Sequence, residues 1–331
     1  MKRLKPGDAI GIFSPSNPIT NTCTNRYKRS KEYLESKGFR IVEGSLTGKA
    51  DYYRSGSIEQ RAEEINELIR NPEVRCIMST IGGMNSNSLL PYIDYEAFMK
   101  DPKIIIGYSD VTAILFGIYA KTGISTFYGP AIVASFGELE PFNEMTYKYF
   151  EDILINRFEK YYEYKMPKVW TEEFINWESQ TRSKKKMENT WLTRKKGSVE
   201  GRLMIGNLST VSGIWGSEYM PDILDGDILF IEDSLKDAAT VERLFSLLKI
   251  NGVFDRIGGL ILGKHELFND NGSGRKPYEI LEEVIGNHDI PFLADVDCCH
   301  THPMFTMPIG SNIRMDATNK TIELKDRLFE D

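Results

Sequence analysis

The first half of the chain alternates short apolar runs with segments whose apolar residues recur at helical spacing. Residues 8–16 (DAIGIFSPS) begin apolar and β-favouring and end in Ser and Pro turn residues. A helix is predicted over 25–37 and a strand over 39–42. Residues 58–69 place Ala62, Ile65, Leu68 and Ile69 on one helical face. A strand follows at 74–80, closed by Gly82-Gly83, and then a short helix at 88–92. Ile104-Ile105-Ile106 is a strand of the fully buried kind, and 111–121 is apolar on most faces, as a helix packed on both sides would be. This βαβ alternation predicts a parallel sheet covered by helices.

The periodicity fades after about residue 158. Residues 160–196 are rich in Lys, Glu, Tyr and Trp without a clean period and read as a long connection, of the length that is usually functional or disordered. Beyond it shorter strands dominate, at 227–231, 259–262 and 313–315, interrupted by helices at 240–248 and 277–285. The expected organisation is a parallel α/β domain over 1–157, a connecting segment over 158–197 and an α+β domain over 198–331.

Composition adds mainly exclusions. With 331 residues, 41% hydrophobic and 27% charged, the chain has room for two ordinary globular cores. Its net charge of -7 speaks against a nucleic-acid surface, which needs a basic stripe; the short basic runs at 182–186 and 194–196 read as solvated loop. The charged N-terminal residues have no apolar stretch behind them, and the longest apolar run, 111–120, is about half a bilayer span. A cytoplasmic protein without membrane contact is expected, its Cys23, Cys76, Cys298 and Cys299 reduced.

The candidate chemistry begins at Ser109, in Gly107-Tyr108-Ser109-Asp110, where the 104–106 strand gives way to the apolar helix. A nucleophile elbow has this form: a sharp turn projects the hydroxyl outward and the helix N-terminus favours negative charge. Val111 stands where the elbow's second glycine would be, and a serine or aspartate here also suits simple helix capping. Gly82-Gly83 ends another strand of the same sheet; its N–H groups suit an oxyanion site, or an ordinary turn. A serine nucleophile needs a base, and all four histidines (His265, His288, His300, His302) lie in the second half. Asp295 and Asp297 are near His300 in sequence, but Glu232, ending the apolar strand 228–231, is the better orienting carboxylate. A surface acid and a loop histidine are the plain alternatives. Cys298-Cys299-His300-x-His302 has the look of soft metal ligands but lacks a second Cys or His pair, so no metal or cofactor is assigned.

Taken together, five blocks resemble the LD-carboxypeptidase family of serine peptidases, and most closely its microcin C self-immunity branch. They are Leu4-Lys5-Pro6-Gly7-Asp8 with Ser14-Pro15-Ser16; residues 80–87 (TIGGMNSN); Gly107-Tyr108-Ser109-Asp110; Phe230-Ile231-Glu232-Asp233-Ser234; and His300-Thr301-x-Pro303 through Pro308-Ile309-Gly310. The resemblance implies a flavodoxin-like N-terminal half, a swivelling β/α C-terminal half, and a homodimer. It implies a Ser109–Glu232–His300 triad spanning both domains, with the N–H groups of Gly83 and Asp110 as oxyanion donors beside Gly82.

Ile81 replaces the Arg that muropeptide-trimming members carry before the glycine pair, and Lys236 matches the lysine that holds ligand in the immunity branch. An aromatic residue of the connection stacks on the nucleotide base in that branch; Trp177 is the first candidate and Trp191 the second, with a loop anchor as the alternative for either. One departure is Cys299, where the family has Gly before the histidine. The expected substrate is therefore an aminoacyl- or peptidyl-nucleotide cleaved at its amide bond. The rival expectations are an LD-carboxypeptidase acting on muropeptides, a protein that binds peptide or nucleotide without cutting it, and a zinc hydrolase.

Overall fold

A computed structural model describes residues 1–330. Ala9–Phe13 and Ile104–Gly107 are buried at every position, as strands covered on both faces must be. With Arg40–Glu43, Val74–Ser79 and Phe127–Tyr128 they form a parallel sheet whose strands run 2-1-3-4-5 in chain order, the flavodoxin-like arrangement expected from the sequence. A sixth strand, Met307–Pro308, comes from the far end of the chain and pairs antiparallel with Phe127–Tyr128. The helix Ile58–Arg70 buries the predicted apolar face and starts with a full capping box between Ser57 and Gln60.

The second half is an eight-stranded mixed sheet. Its centre is parallel: Ser198–Asn207, Ile228–Glu232, Gly259–Gly263 and Phe292–Val296. Antiparallel strands flank it, and here the structure adds to what periodicity could see. Within 158–197, Tyr162–Glu163 extends one edge, Leu192–Lys195 extends the other, and Val169–Trp170 pairs with Met187–Glu188. These strands are two to four residues long, too short to leave a period in the sequence. The helix Phe142–Leu154, which carries a clear apolar face, was not among the predicted elements.

The helix Thr112–Thr122 lies where the two halves meet, which explains why it is apolar on most faces. Gly206, near the end of a central strand of the second sheet, makes that approach possible, since a β-carbon there would sit 2.6 Å from Thr112 Cγ2. The parallel strands of both sheets thus turn their carboxyl ends toward one cleft, the place where α/β sheets bind ligands. Among the described residues no helix is long and apolar enough to cross a membrane.

Candidate active site

The turn after Ile104–Gly107 holds Ser109 at φ 62°, a left-handed conformation that a side chain adopts only under local constraint. Glycines make room for it. A β-carbon on Gly107 would lie 2.5 Å from Ser79 Oγ, and one on Gly82 would lie 2.8 Å from Ser109 Cβ. Neither Ser109 nor Asp110 caps the following helix; Val111 occupies the cap position without a side-chain bond. The Asp110 carboxylate instead accepts the N–H groups of Asn85 (3.0 Å) and Ser86 (2.9 Å), tying the glycine loop to the elbow.

That loop is fixed from a second side. Ser16 Oγ accepts the Met84 N–H at 3.0 Å and donates to Asn85 Oδ1 at 2.9 Å, while buried Arg61 donates to Asn85 Oδ1 at 2.7 Å. Gly83, at φ 150°, packs so tightly on Ser16 that a β-carbon would sit 2.1 Å from its hydroxyl oxygen. The N–H groups of Gly83 and Asp110 find no acceptor among the described residues.

From the opposite sheet, His300 reaches over the elbow. Its Nε2 lies 3.0 Å from Ser109 Oγ and its Nδ1 lies 2.7 Å from Glu232 Oε2. Glu232 is buried at the end of Ile228–Glu232, and its other oxygen accepts the Tyr128 hydroxyl (2.5 Å) and the Asn207 side-chain amide (3.0 Å). Burial works to lower the His300 pKa, but Glu232, with Glu266 and Asp233, outweighs it and holds the imidazole above its ordinary value. Burial likewise works to raise the Glu232 pKa; His300 and the two hydrogen-bond donors win and keep the carboxyl below the usual range. This arrangement can activate a hydroxyl at neutral pH: the base touches the nucleophile and a carboxylate orients the base.

Cys299 does not disturb that geometry. Its β-carbon faces Gly263, whose own missing β-carbon would have met Cys299 Cβ at 3.2 Å and Glu232 Cβ at 2.8 Å. The Cys298 and Cys299 thiols point to backbone carbonyls, and burial pushes the Cys299 thiol up to about 12. No cluster of three His, Cys, Asp or Glu residues able to hold a metal occurs among the described residues.

The cleft beside Ser109 measures about 410 Å³ and takes in Gly82, Gly83, Asp110, His300, Lys236 and Trp177 from the candidates, together with Ile81. Lys236 stands 3.9 Å from Asp233. Trp177 lies under the guanidinium of buried Arg26 at 4.4 Å, on a strap anchored by Glu178 to the N–H of Asn25 (2.9 Å). Trp191 is a correction. It is fully buried, its indole N–H donates to Asp297 at 2.7 Å, and it does not reach the cleft, because Leu192–Lys195 draws it under the second sheet. Sequence reasoning missed Tyr128, Asn207, Asp233 and Glu266. Asp233 sits next to Glu232 and Asn207 ends an apolar strand; those positions were the available signals. Tyr128 carries none, being one aromatic among sixteen tyrosines.

Comparison with known proteins covers both halves of the chain. Residues 10–129 match the LD-carboxypeptidase N-terminal domain, and residues 200–315 match the LD-carboxypeptidase C-terminal domain. The chain is 55% identical over 326 residues to the microcin C7 self-immunity protein of Escherichia coli, covering 98% of this chain and 95% of that one. It is 56% identical over 326 residues to a putative carboxypeptidase of Vibrio cholerae serotype O1, covering 98% and 97%. A solved structure of a microcin C7 self-immunity protein in complex with aspartyl sulfamoyl adenosine superposes with a TM-score of 0.98 at 54% identity, over 99% of both chains.

Proposed function

The chain belongs to the LD-carboxypeptidase family of serine peptidases, and on that premise we propose that it cleaves the amide bond of an aminoacyl- or peptidyl-nucleotide of microcin C type, a detoxifying activity. The observation that carries this reading is the unbroken line from Ser109 Oγ through His300 to Glu232, in a cleft that also holds Lys236 and Trp177. We assign the flavodoxin-like domain to 1–157 and the Glu- and His-bearing domain to 198–331, joined by 158–197.

In this mechanism Ser109 Oγ attacks the acyl carbon while His300 Nε2 takes the hydroxyl proton. Glu232 holds the imidazole in the tautomer with its proton on Nδ1 and stabilises the imidazolium that forms. The unpaired N–H groups of Gly83 and Asp110 receive the oxyanion. His300 then returns the proton to the departing nitrogen, freeing the nucleotide part and leaving the acyl group on Ser109. Water, deprotonated by His300, cleaves that ester and restores the serine. Lys236 neutralises a carboxylate or phosphate of the substrate, and Trp177 offers its free face to the base.

Incubation with an aminoacyl sulfamoyl adenosine and, separately, with a muropeptide tetrapeptide tests the assignment. Release of the amino acid from the first substrate is expected. Cleavage of the muropeptide alone would replace the substrate with the peptidoglycan one, and stoichiometric binding without product would replace hydrolysis with sequestration.

A further inference from the structure

Tyr128 is completely buried, on the short strand that pairs with Gly107 on one side and with Met307 on the other. Its hydroxyl has two partners whose roles cannot be exchanged. The Ser109 N–H can only donate, at 3.1 Å, and the Glu232 carboxylate can only accept, at 2.5 Å. The phenol therefore gives its one proton to the carboxylate and offers a lone pair to the nucleophile's own peptide. Burial, with Glu232 beside it, raises the phenol pKa well above its ordinary value, so the proton stays in place.

We propose that Tyr128 is a positioning residue that locks the Ser109 backbone in the first domain to Glu232 in the second, so that nucleophile and triad carboxylate move as one unit. The proposal rests on the triad reading above. Two consequences follow from the geometry. The peptide of Ser109, held at φ 62°, has its N–H committed to Tyr128, which leaves the oxyanion to the N–H groups of Gly83 and Asp110. The phenol also withdraws charge from Glu232, and so limits how strongly that carboxylate holds a proton on His300.

The test compares the wild-type protein with Tyr128→Phe, which keeps the ring and removes only the hydroxyl. The imidazole of His300 is titrated by NMR, its signal assigned by its absence from His300→Gln. The charged groups facing His300 are Glu232 and Asp233 at the strand end and Glu266 from the loop after Gly259–Gly263; His265 and His302 beside it are kept neutral by burial. None of these is altered by the substitution. In Tyr128→Phe the His300 pKa is expected to rise by about one pH unit, since a hydrogen bond to a charged acceptor has been lost. Turnover is expected to fall about 10- to 100-fold with KM little changed.

A lower melting temperature with an unmoved His300 titration would overturn the proposal. Should the variant not fold, the wild-type protein with 13Cζ-labelled tyrosine decides: a slowly exchanging, hydrogen-bonded Tyr128 hydroxyl proton supports the lock, and its absence refutes it. Because the His300 titration and the Tyr128 hydroxyl-proton signal need no substrate, wild-type protein that leaves aminoacyl sulfamoyl adenosine intact would sink the functional reading and leave the role of Tyr128 to be decided by those two measurements.

Discussion

At Ser109 the left-handed backbone, the glycines that make space for it and the imidazole 3.0 Å away are parts of one local solution. The serine is aimed at a base because its backbone is bent, and the bend survives because neighbouring positions carry no β-carbon. The raised His300 pKa has a direct consequence for rate. Only the neutral imidazole can take the serine proton, so activity should be lost as pH falls through a value above the ordinary imidazole pKa of about 6.5. A kcat/KM profile whose acid limb lies at or below that value would contradict it. Cys299, seated over Gly263, should be replaceable: Cys299→Gly is expected to change kcat/KM by less than about threefold, well under 1 kcal/mol. A larger loss in steady-state kinetics would mean that the thiol shapes His300 after all. In the sequence Ser109, Glu232 and His300 were each ambiguous alone and became legible as a set. Tyr128 and Asn207 were not legible, because what identifies them is a hydrogen bond closed by the fold rather than a pattern along the chain.

Among the elements, the strap over 171–187 shows where pattern reading stops. It has no period, yet it is tightly held: Arg26 donates to Gln180 (2.6 Å), to Val133 O (2.9 Å) and to Glu138 (3.0 Å), and Lys184 approaches Glu138 at 3.6 Å. Order comes here from buried charge pairs between distant segments, which no local window records. Ala9–Phe13, Val74–Ser79, Ile104–Gly107 and the helix Ile58–Arg70 were readable because they are covered, so apolar runs and a helical face appear directly in the residues; Phe127–Tyr128, two residues long, and the helix Phe142–Leu154 were not read. Two outcomes are expected at this scale. Trp177→Ala should raise KM for a nucleotide substrate about 5- to 100-fold by removing a stacking face, with a smaller effect on kcat; an unchanged KM would remove Trp177 from base recognition. Arg26→Met should lower stability by about 3–5 kcal/mol in urea unfolding, because it leaves Glu138 buried beside fewer partners; a loss below about 1 kcal/mol would show that the strap is anchored elsewhere.

Across the whole molecule, the two sheets are joined by more than the cleft. Met307–Pro308 belongs to the second half of the chain but completes the sheet of the first, and the helix Thr112–Thr122 packs against Gly206 of the other sheet. The halves should therefore unfold together: loss of activity and loss of far-ultraviolet circular dichroism in urea are expected to coincide, and two separated transitions would contradict that coupling. The same arrangement makes the proposed chemistry a property of the assembled chain, with the nucleophile in one half and its base and carboxylate in the other. The most direct test of that claim is turnover of an aminoacyl sulfamoyl adenosine by the wild-type protein and by Ser109→Ala. The variant is expected to keep its fold and to lose about 10⁴-fold or more in kcat, as loss of a serine nucleophile does; turnover by Ser109→Ala close to that of the wild-type protein would contradict the account.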